Sequence, residues 1–135
     1  MATVLIIDDN DAFRTAAALA LRKAGYTVHE AGDGTQGLAK IAETPVDVVV
    51  TDIVMPNTDG VQAITAIRQR FPDMPILAIS GGDPHSAGYL KIAQMIGATR
   101  VLQKPFVPAV FMRTVAALVA TRARPSSPES PDAQR

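Results

Sequence analysis

The chain has 135 residues, 47% of them hydrophobic and 19% charged, with a formal net charge of +0, an isoelectric point near 6.7 and no cysteine. That length suits one compact domain with its own core, and the charge balance gives no electrostatic reason to expect nucleic acid or an anionic membrane as partner. Disulfides, thiolate nucleophiles and thiolate metal sites are excluded, and no apolar run approaches the length that spans a bilayer.

The opening "MATVLIIDDND" carries a short apolar run followed by acids, with no basic flank or cleavage site, so it reads as no signal peptide, and the expected setting is soluble and cytoplasmic. Residues 4–7 are apolar and rich in β-branched side chains, bounded by polar residues, which predicts a strand covered on both faces. Asp11 is then expected to cap a helix carrying Phe13, Ala17, Ala20, Leu21 and Ala24, stopped by Gly25. A weaker strand follows over 26–31, and a helix over 34–43 with Pro45 just beyond it. Residues 46–50 are a second strongly apolar strand, and Val61, Ile64, Ile67 and Arg68 repeat at helical spacing over 61–70. Residues 76–79 make a strand, 87–96 a helix ended by Gly97, and 99–103 a weak fifth strand. A last helix starts near Pro108, a residue at home in a first turn, and lines up Phe111, Val115, Leu118 and Val119. The end, "ARPSSPESPDAQR", has no apolar stripe, so residues 1–122 read as the domain and 123–135 as a disordered Pro/Ser-rich tail.

Five strands alternating with five helices predict a (βα)5 doubly wound α/β fold, a five-stranded parallel sheet of order 2-1-3-4-5 of the flavodoxin-like kind. In such sheets the functional crevice lies beyond the carboxyl ends of the strands, where the strand order reverses, here between the first and third. Asp8 and Asp9 follow the first strand, Asp52 the third, Ser80 the fourth and Lys104 the fifth, so all are expected at one edge. Three crowded carboxylates repel one another, and a hard divalent cation with oxygen ligands relieves that repulsion. Mg²⁺ suits the set because it accepts one or two carboxylates and keeps sites for water and phosphate oxygens, which leaves one aspartate as a nucleophile. Ser80 and Lys104 could then bind the oxygens of a transferred phosphoryl group.

Blander readings compete. Each aspartate alone could be a turn or cap residue, Ser80 with Gly81 and Gly82 a flexible turn, and Lys104 a solvated charge. Convergence of the whole set favours a site. Pro56 and Gly60 read as loop geometry, His29 and His85 as ordinary surface residues, and the scattered methionines as core or loop fillers.

The acidic pair Asp8-Asp9, "TDIVMPNTDG" around Asp52, Ser80-Gly81 and "KPF" from Lys104 together resemble the receiver domain of two-component response regulators, from Ala2 to about Arg122. The resemblance implies that Asp52 accepts a phosphoryl group from a phosphohistidine on a histidine kinase or phosphotransfer protein. It further implies that Asp9, Asp52 and the Val54 backbone carbonyl bind Mg²⁺ directly, that Asp8 acts largely through water, and that Ser80 and Lys104 contact the phosphoryl oxygens. The Lys104-Pro105 peptide is often cis in the family. A downstream protein is expected on the face of the fourth helix, fifth strand and fifth helix, with no direct nucleic-acid contact and no membrane insertion. The sequence leaves no room for an output domain, which suggests a stand-alone receiver that catalyses only its own phosphorylation and dephosphorylation.

One departure concerns the switch. Receivers usually carry an aromatic residue three positions before the lysine, and that position here is Val101, which has no ring to swing inward beside Ser80. The connection "SGGDPHSAGY" is also long and glycine-rich and is expected to be mobile. Two alternatives stay open: a pseudo-receiver that binds without being phosphorylated, and a phosphatase of the haloacid dehalogenase type. The second wants an acid where Val54 stands.

Overall fold

The structure, a computed structural model, describes residues 2–53, 60–81 and 86–123, the side chains of 86–90 and 122–123 excepted. The β-branched runs pair as a parallel sheet of β1 (Thr3–Ile7), β2 (Thr27–Ala31), β3 (Val48–Asp52), β4 (Ile76–Ser80) and β5 (Arg100–Gln103), in the order β2-β1-β3-β4-β5. The crossovers are α1 (Asp11–Lys23), α2 (Gly34–Glu43), α3 (Gly60–Arg70) and α4 (Ser86–Ile96), and α5 (Pro108–Ala123) closes the fold.

Alternation along the strands divides the core into two layers. Leu5, Ile7, Val49, Ile76 and Ala78 face α2, α3 and α4, where they meet Ile41, Ile64, Ile67 and Ala93. Val4, Ile6, Val48, Val50, Leu77 and Ile79 face α1 and α5, where they meet Ala17, Ala18, Leu21, Phe111, Val115 and Leu118. Strands covered on both sides must be apolar at successive positions, which is why β1 and β4 read as continuous runs. Among the described residues, no helix is long and apolar enough to cross a membrane.

Three local readings are corrected. The cap of α1 is Asn10, whose extended backbone lets its side chain accept from the Phe13 N–H at 3.0 Å. Asp11 is instead the first helical residue, and its carboxylate takes the Arg14 guanidinium at 2.6 Å. The buried stripe of α1 runs through Ala17, Ala18 and Leu21, while Ala20 and Ala24 are exposed; Ala24 is the cap and Gly25, at φ +102°, turns the chain away. The third strand spans Val48–Asp52 rather than 46–50. Val46 is buried without joining the ladder, and the Asp47 carboxylate next to it accepts the Thr3 N–H at 2.8 Å.

The last correction matters for function, because Asp52 becomes a strand residue paired in register with Ile79. Ser80 likewise closes β4, paired with Gln103. The Lys104–Pro105 peptide is cis, as the resemblance implies. Val54, Pro56, residues 82–85, which include His85, and residues 124–135 lie outside the described residues, and with them the expected carbonyl ligand, part of the loop expected to be mobile and most of the tail. His29 is half-buried on β2 rather than fully at the surface.

Gly60 brings the start of α3 back against the end of β3. Its N–H donates to the Ile53 carbonyl at 2.6 Å, and a Cβ there would lie 2.2 Å from the Asp52 carbonyl oxygen and 2.3 Å from the Ile53 Cα. Both are backbone atoms held by the sheet, so they cannot yield as a side-chain tip would. Gly81 has open space around it. Gly60→Ala is therefore expected to lower unfolding stability by about 2–3 kcal/mol, while Gly81→Ala stays within about 0.5 kcal/mol, as measured by urea denaturation.

Candidate functional site

The site is assembled by extensions of the ladder past the last strand residues. The Asp8 N–H donates to the Ala31 carbonyl at 3.0 Å, which carries the β1–β2 pairing one residue beyond β1 and draws Asp8 inward. The Lys104 N–H donates to the Ser80 carbonyl at 2.8 Å, which does the same for β5 against β4. The Ile53 N–H donates to the Ile79 carbonyl at 2.9 Å, so the backbone at Asp52 is held against β4 on either side of the Asp52–Ile79 pair. Asp8, Asp52, Ser80 and Lys104 thus stand on backbone that the sheet fixes, and Asp9 follows directly on Asp8.

The expected residues meet. Asp8, Asp9 and Asp52 each place a carboxylate oxygen within 4.8 Å of the others. Their surroundings differ: Asp8 is 1% exposed, Asp52 is half-buried and Asp9 is exposed. One Asp8 oxygen, Oδ1, accepts the Asn10 N–H at 2.9 Å. The other, Oδ2, has no hydrogen-bond partner among the described residues and faces the Lys104 ammonium at 3.8 Å. Burial pushes the Asp8 carboxyl above its ordinary value, against the opposing pull of the Asn10 N–H and of Lys104, and the neighbouring Asp9 charge pushes it further.

Ser80 is fully buried, and its Oγ also lacks a partner among the described residues. A buried hydroxyl and a buried carboxylate oxygen without partners are costly, and both lie at the ends of the strands that flank Asp52. Three carboxylates against the Lys104 ammonium leave an excess of negative charge in a partly desolvated crevice. These residues fit a hard divalent cation, for which Asp8, Asp9 and Asp52 offer oxygen ligands.

Two residues of α1 that the motif did not single out hold the site from below. Arg14 donates from Nη1 to the Asp8 carbonyl at 2.6 Å and from Nε to Glu30 at 3.3 Å, tying the acid pair to α1 and β2. Phe13 lies under the Lys104 ammonium, 4.1 Å from the ring centroid. The available signal was an aromatic residue in the first turn of the helix after the acid pair, together with Phe106 in "KPF". Val101 is half-buried on β5, opposite Ala78 and packed into the layer that contains Ala93 of α4. That slot holds a small apolar side chain with no ring and no polar atom.

The response regulator receiver domain family model matches residues 4–116. The chain is 43% identical over 82 residues to the sensor kinase CckA of Brucella abortus, which covers 59% of this chain and 9% of that protein. It is 33% identical over 129 residues to the response regulator MprA of Mycobacterium sp. strain KMS, covering 95% of this chain and 55% of that protein. Among solved structures, the Vibrio cholerae chemotaxis protein CheY4 superposes with a TM-score of 0.80 at 32% identity, over 87% of this chain and 98% of that one. The chain thus spans about half, or much less, of these two curated relatives.

The raised Asp8 value has a consequence for stability. The native state binds this proton more tightly than the unfolded chain does, so stability falls as pH rises through the window between the two values, and the full cost is present above the folded value. Asp8→Asn keeps an oxygen for the Asn10 N–H and removes the buried charge. In metal-free protein at neutral pH this variant is expected to raise Tm by roughly 2–5 °C, with the gain vanishing at pH below the ordinary carboxylate range. Calorimetric scans of both proteins across pH check this.

Proposed function

The chain belongs to the response regulator receiver domain family, and on that premise we propose that it is a phosphoacceptor switch in which Asp52 takes a phosphoryl group from a histidine kinase or phosphotransfer protein. The observation that carries this reading is the convergence of Asp8, Asp9 and Asp52 within 4.8 Å at the switch point of the sheet, with Lys104 beside them. The phosphoacceptor unit is residues 1–122. Like receivers in general, it is a signalling module that carries out only its own phosphoryl transfer and dephosphorylation.

In the transfer, an Asp52 carboxylate oxygen attacks the phosphorus of the partner's phosphohistidine. The new O–P bond forms as the N–P bond breaks, and the imidazole leaves with the electron pair and takes up a proton. The Lys104 ammonium and the Ser80 hydroxyl donate to the phosphoryl oxygens, an arrangement supported by the lack of any other Ser80 Oγ partner among the described residues. Asp8, Asp9, Asp52 and the Val54 carbonyl would hold Mg²⁺, Asp8 largely through water, and the ion would neutralise charge that builds up during in-line transfer. Water attack on the phosphorus later breaks the Asp52 O–P bond and releases phosphate.

The product state is read by a protein partner. The proposed surface is the face of α4, β5 and α5, where Ile92 and Met95 of α4 are 43% and 81% exposed. Action is proposed to be cytoplasmic, without nucleic acid or membrane contact. With Val101 in place of an aromatic residue, the change at Ser80 passes through the segment after β4 and α4 rather than through a ring on β5. The same valine is the one observation that favours a second reading, a binding module that is never phosphorylated.

Intact-protein mass spectrometry after treatment with acetyl phosphate separates the two. The expected result is a gain of one phosphate that requires Mg²⁺ and is lost in Asp52→Ala. No adduct, together with no binding of beryllofluoride, the non-hydrolysing stand-in for the phosphoryl group, would establish the binding module.

A further inference from the structure

Lysine carries its charge on a flexible four-carbon stem, and a site that uses an ammonium must keep it from wandering. Among the described residues, Asp8 and Phe13 both approach the Lys104 ammonium. Asp8 Oδ2 lies 3.8 Å from Nζ, too far for a hydrogen bond, whereas the Phe13 ring centroid lies 4.1 Å away, well inside cation–π range. An ion pair closed onto Asp8 would draw the ammonium to the floor of the crevice and occupy one of its N–H donors. A ring face attracts the charge and leaves those donors for an incoming oxygen anion.

The ring is itself fixed. Phe13 meets Phe106 edge-on at 6.2 Å with an interplanar angle of 86°, and Phe106 stacks on Phe111 of α5 at 5.8 Å and 17°. Phe111 is buried in the layer under α1 and α5, and Phe13 and Phe106 pack against that layer. Three rings therefore run from the core to the lysine, and Phe106 stands two residues after Lys104 on the same segment. The lysine's own backbone is held by the Ser80 carbonyl at 2.8 Å.

The geometry points to Phe13 as a positioning residue: its ring is the seat that holds the Lys104 ammonium, with its donors free, at the height where it meets a phosphoryl group on Asp52. This inference rests on the phosphoacceptor reading of Lys104, and the experiment below keeps the two apart. Phe13→Leu keeps apolar bulk against Phe106 and removes the π face. Phe13→Tyr retains the face.

The first arm needs neither metal nor phosphate. In NMR spectra of the metal-free protein, the Lys104 Cε protons, identified by comparison with Lys104→Ala, are expected upfield of those of Lys23, Lys40 and Lys91 because of the ring current. In Phe13→Leu they move to the position of the other lysines, and in Phe13→Tyr they stay. The second arm titrates beryllofluoride in the presence of Mg²⁺, followed by fluorine NMR. Phe13→Leu is expected to weaken binding roughly 3- to 10-fold, Phe13→Tyr to restore it, and Phe13→Leu to add no loss in a Lys104→Ala background. Thermal unfolding confirms that each variant folds, and Phe13→Met replaces the leucine variant if it does not.

Lys104 protons that keep their position in Phe13→Leu overturn the inference, as does an equal loss of affinity with and without Lys104. A wild-type protein that shows the ring-current shift yet binds no beryllofluoride overturns the phosphoacceptor reading, and with it any part for Phe13 in phosphoryl binding.

Discussion

The arrangement of the molecule turns on a carboxylate placed where a carboxylate is least welcome. Asp8 is almost fully buried, with one oxygen lacking a donor among the described residues and two more carboxylates within 4.8 Å. Desolvation and like-charge repulsion both oppose its ionised form, and the Asn10 N–H and the Lys104 ammonium offset them only in part. A protein selected for stability alone would carry an amide or an apolar residue there. Retaining the charge makes sense where a cation and a phosphoryl group complete the set, so that the unfavourable electrostatics of the crowded carboxylates become binding energy for what enters the crevice.

The sheet holds this tension in place. Asp52 and Ser80 are the last residues of neighbouring parallel strands, and Asp8 and Lys104 each follow a strand end by one residue whose N–H continues the ladder. Carboxylates on free loops would move apart, whereas Asp8 and Asp52 are carried on backbone bonded into the sheet. Gly60 approaches the end of β3 so closely that a single methyl group would collide with the backbone of Asp52 and Ile53. From below, Arg14 grips the Asp8 carbonyl, and the Phe13, Phe106 and Phe111 rings tie Lys104 to α1 and α5. Chemistry at the crevice and packing of the α1/α5 layer are thereby one structure.

Much of this was legible in the sequence because parallel strands buried on both faces write themselves as unbroken apolar runs rich in β-branched residues, and Gly25, Gly97 and Pro45 punctuate the helices between them. The acids, Ser80 and Lys104 could be placed at one edge from topology alone. What could not be read were features set by tertiary contact. Val46 looks like strand because it is apolar, and Thr51 and Asp52 look like loop because they are polar, so the sequence pattern places the third strand two residues ahead of where it lies. Alanines carry little periodic signal, so the sequence does not distinguish Ala18, which is buried in α1, from Ala20, which is exposed. Nothing in the pair Asp8-Asp9 says which is buried, since that depends on the bond from Asp8 to Ala31 of β2. The meeting of Phe13 with Lys104 joins the first helix to the end of the last strand, and the aromatic residues at Phe13 and Phe106 are the one hint of it in the sequence.

The central claim is that the crowded carboxylates form a divalent-cation site. The most direct test is a titration of isotope-labelled protein with MgCl₂, following backbone amides by NMR. The expected result is a saturable shift concentrated at Asp8, Asp9, Asn10, Asp52 and Ile53, where amides lie beside or donate to the carboxylates. Shifts that never saturate, or that NaCl at matched ionic strength reproduces, would contradict it, and the buried charge of Asp8 would then need another explanation.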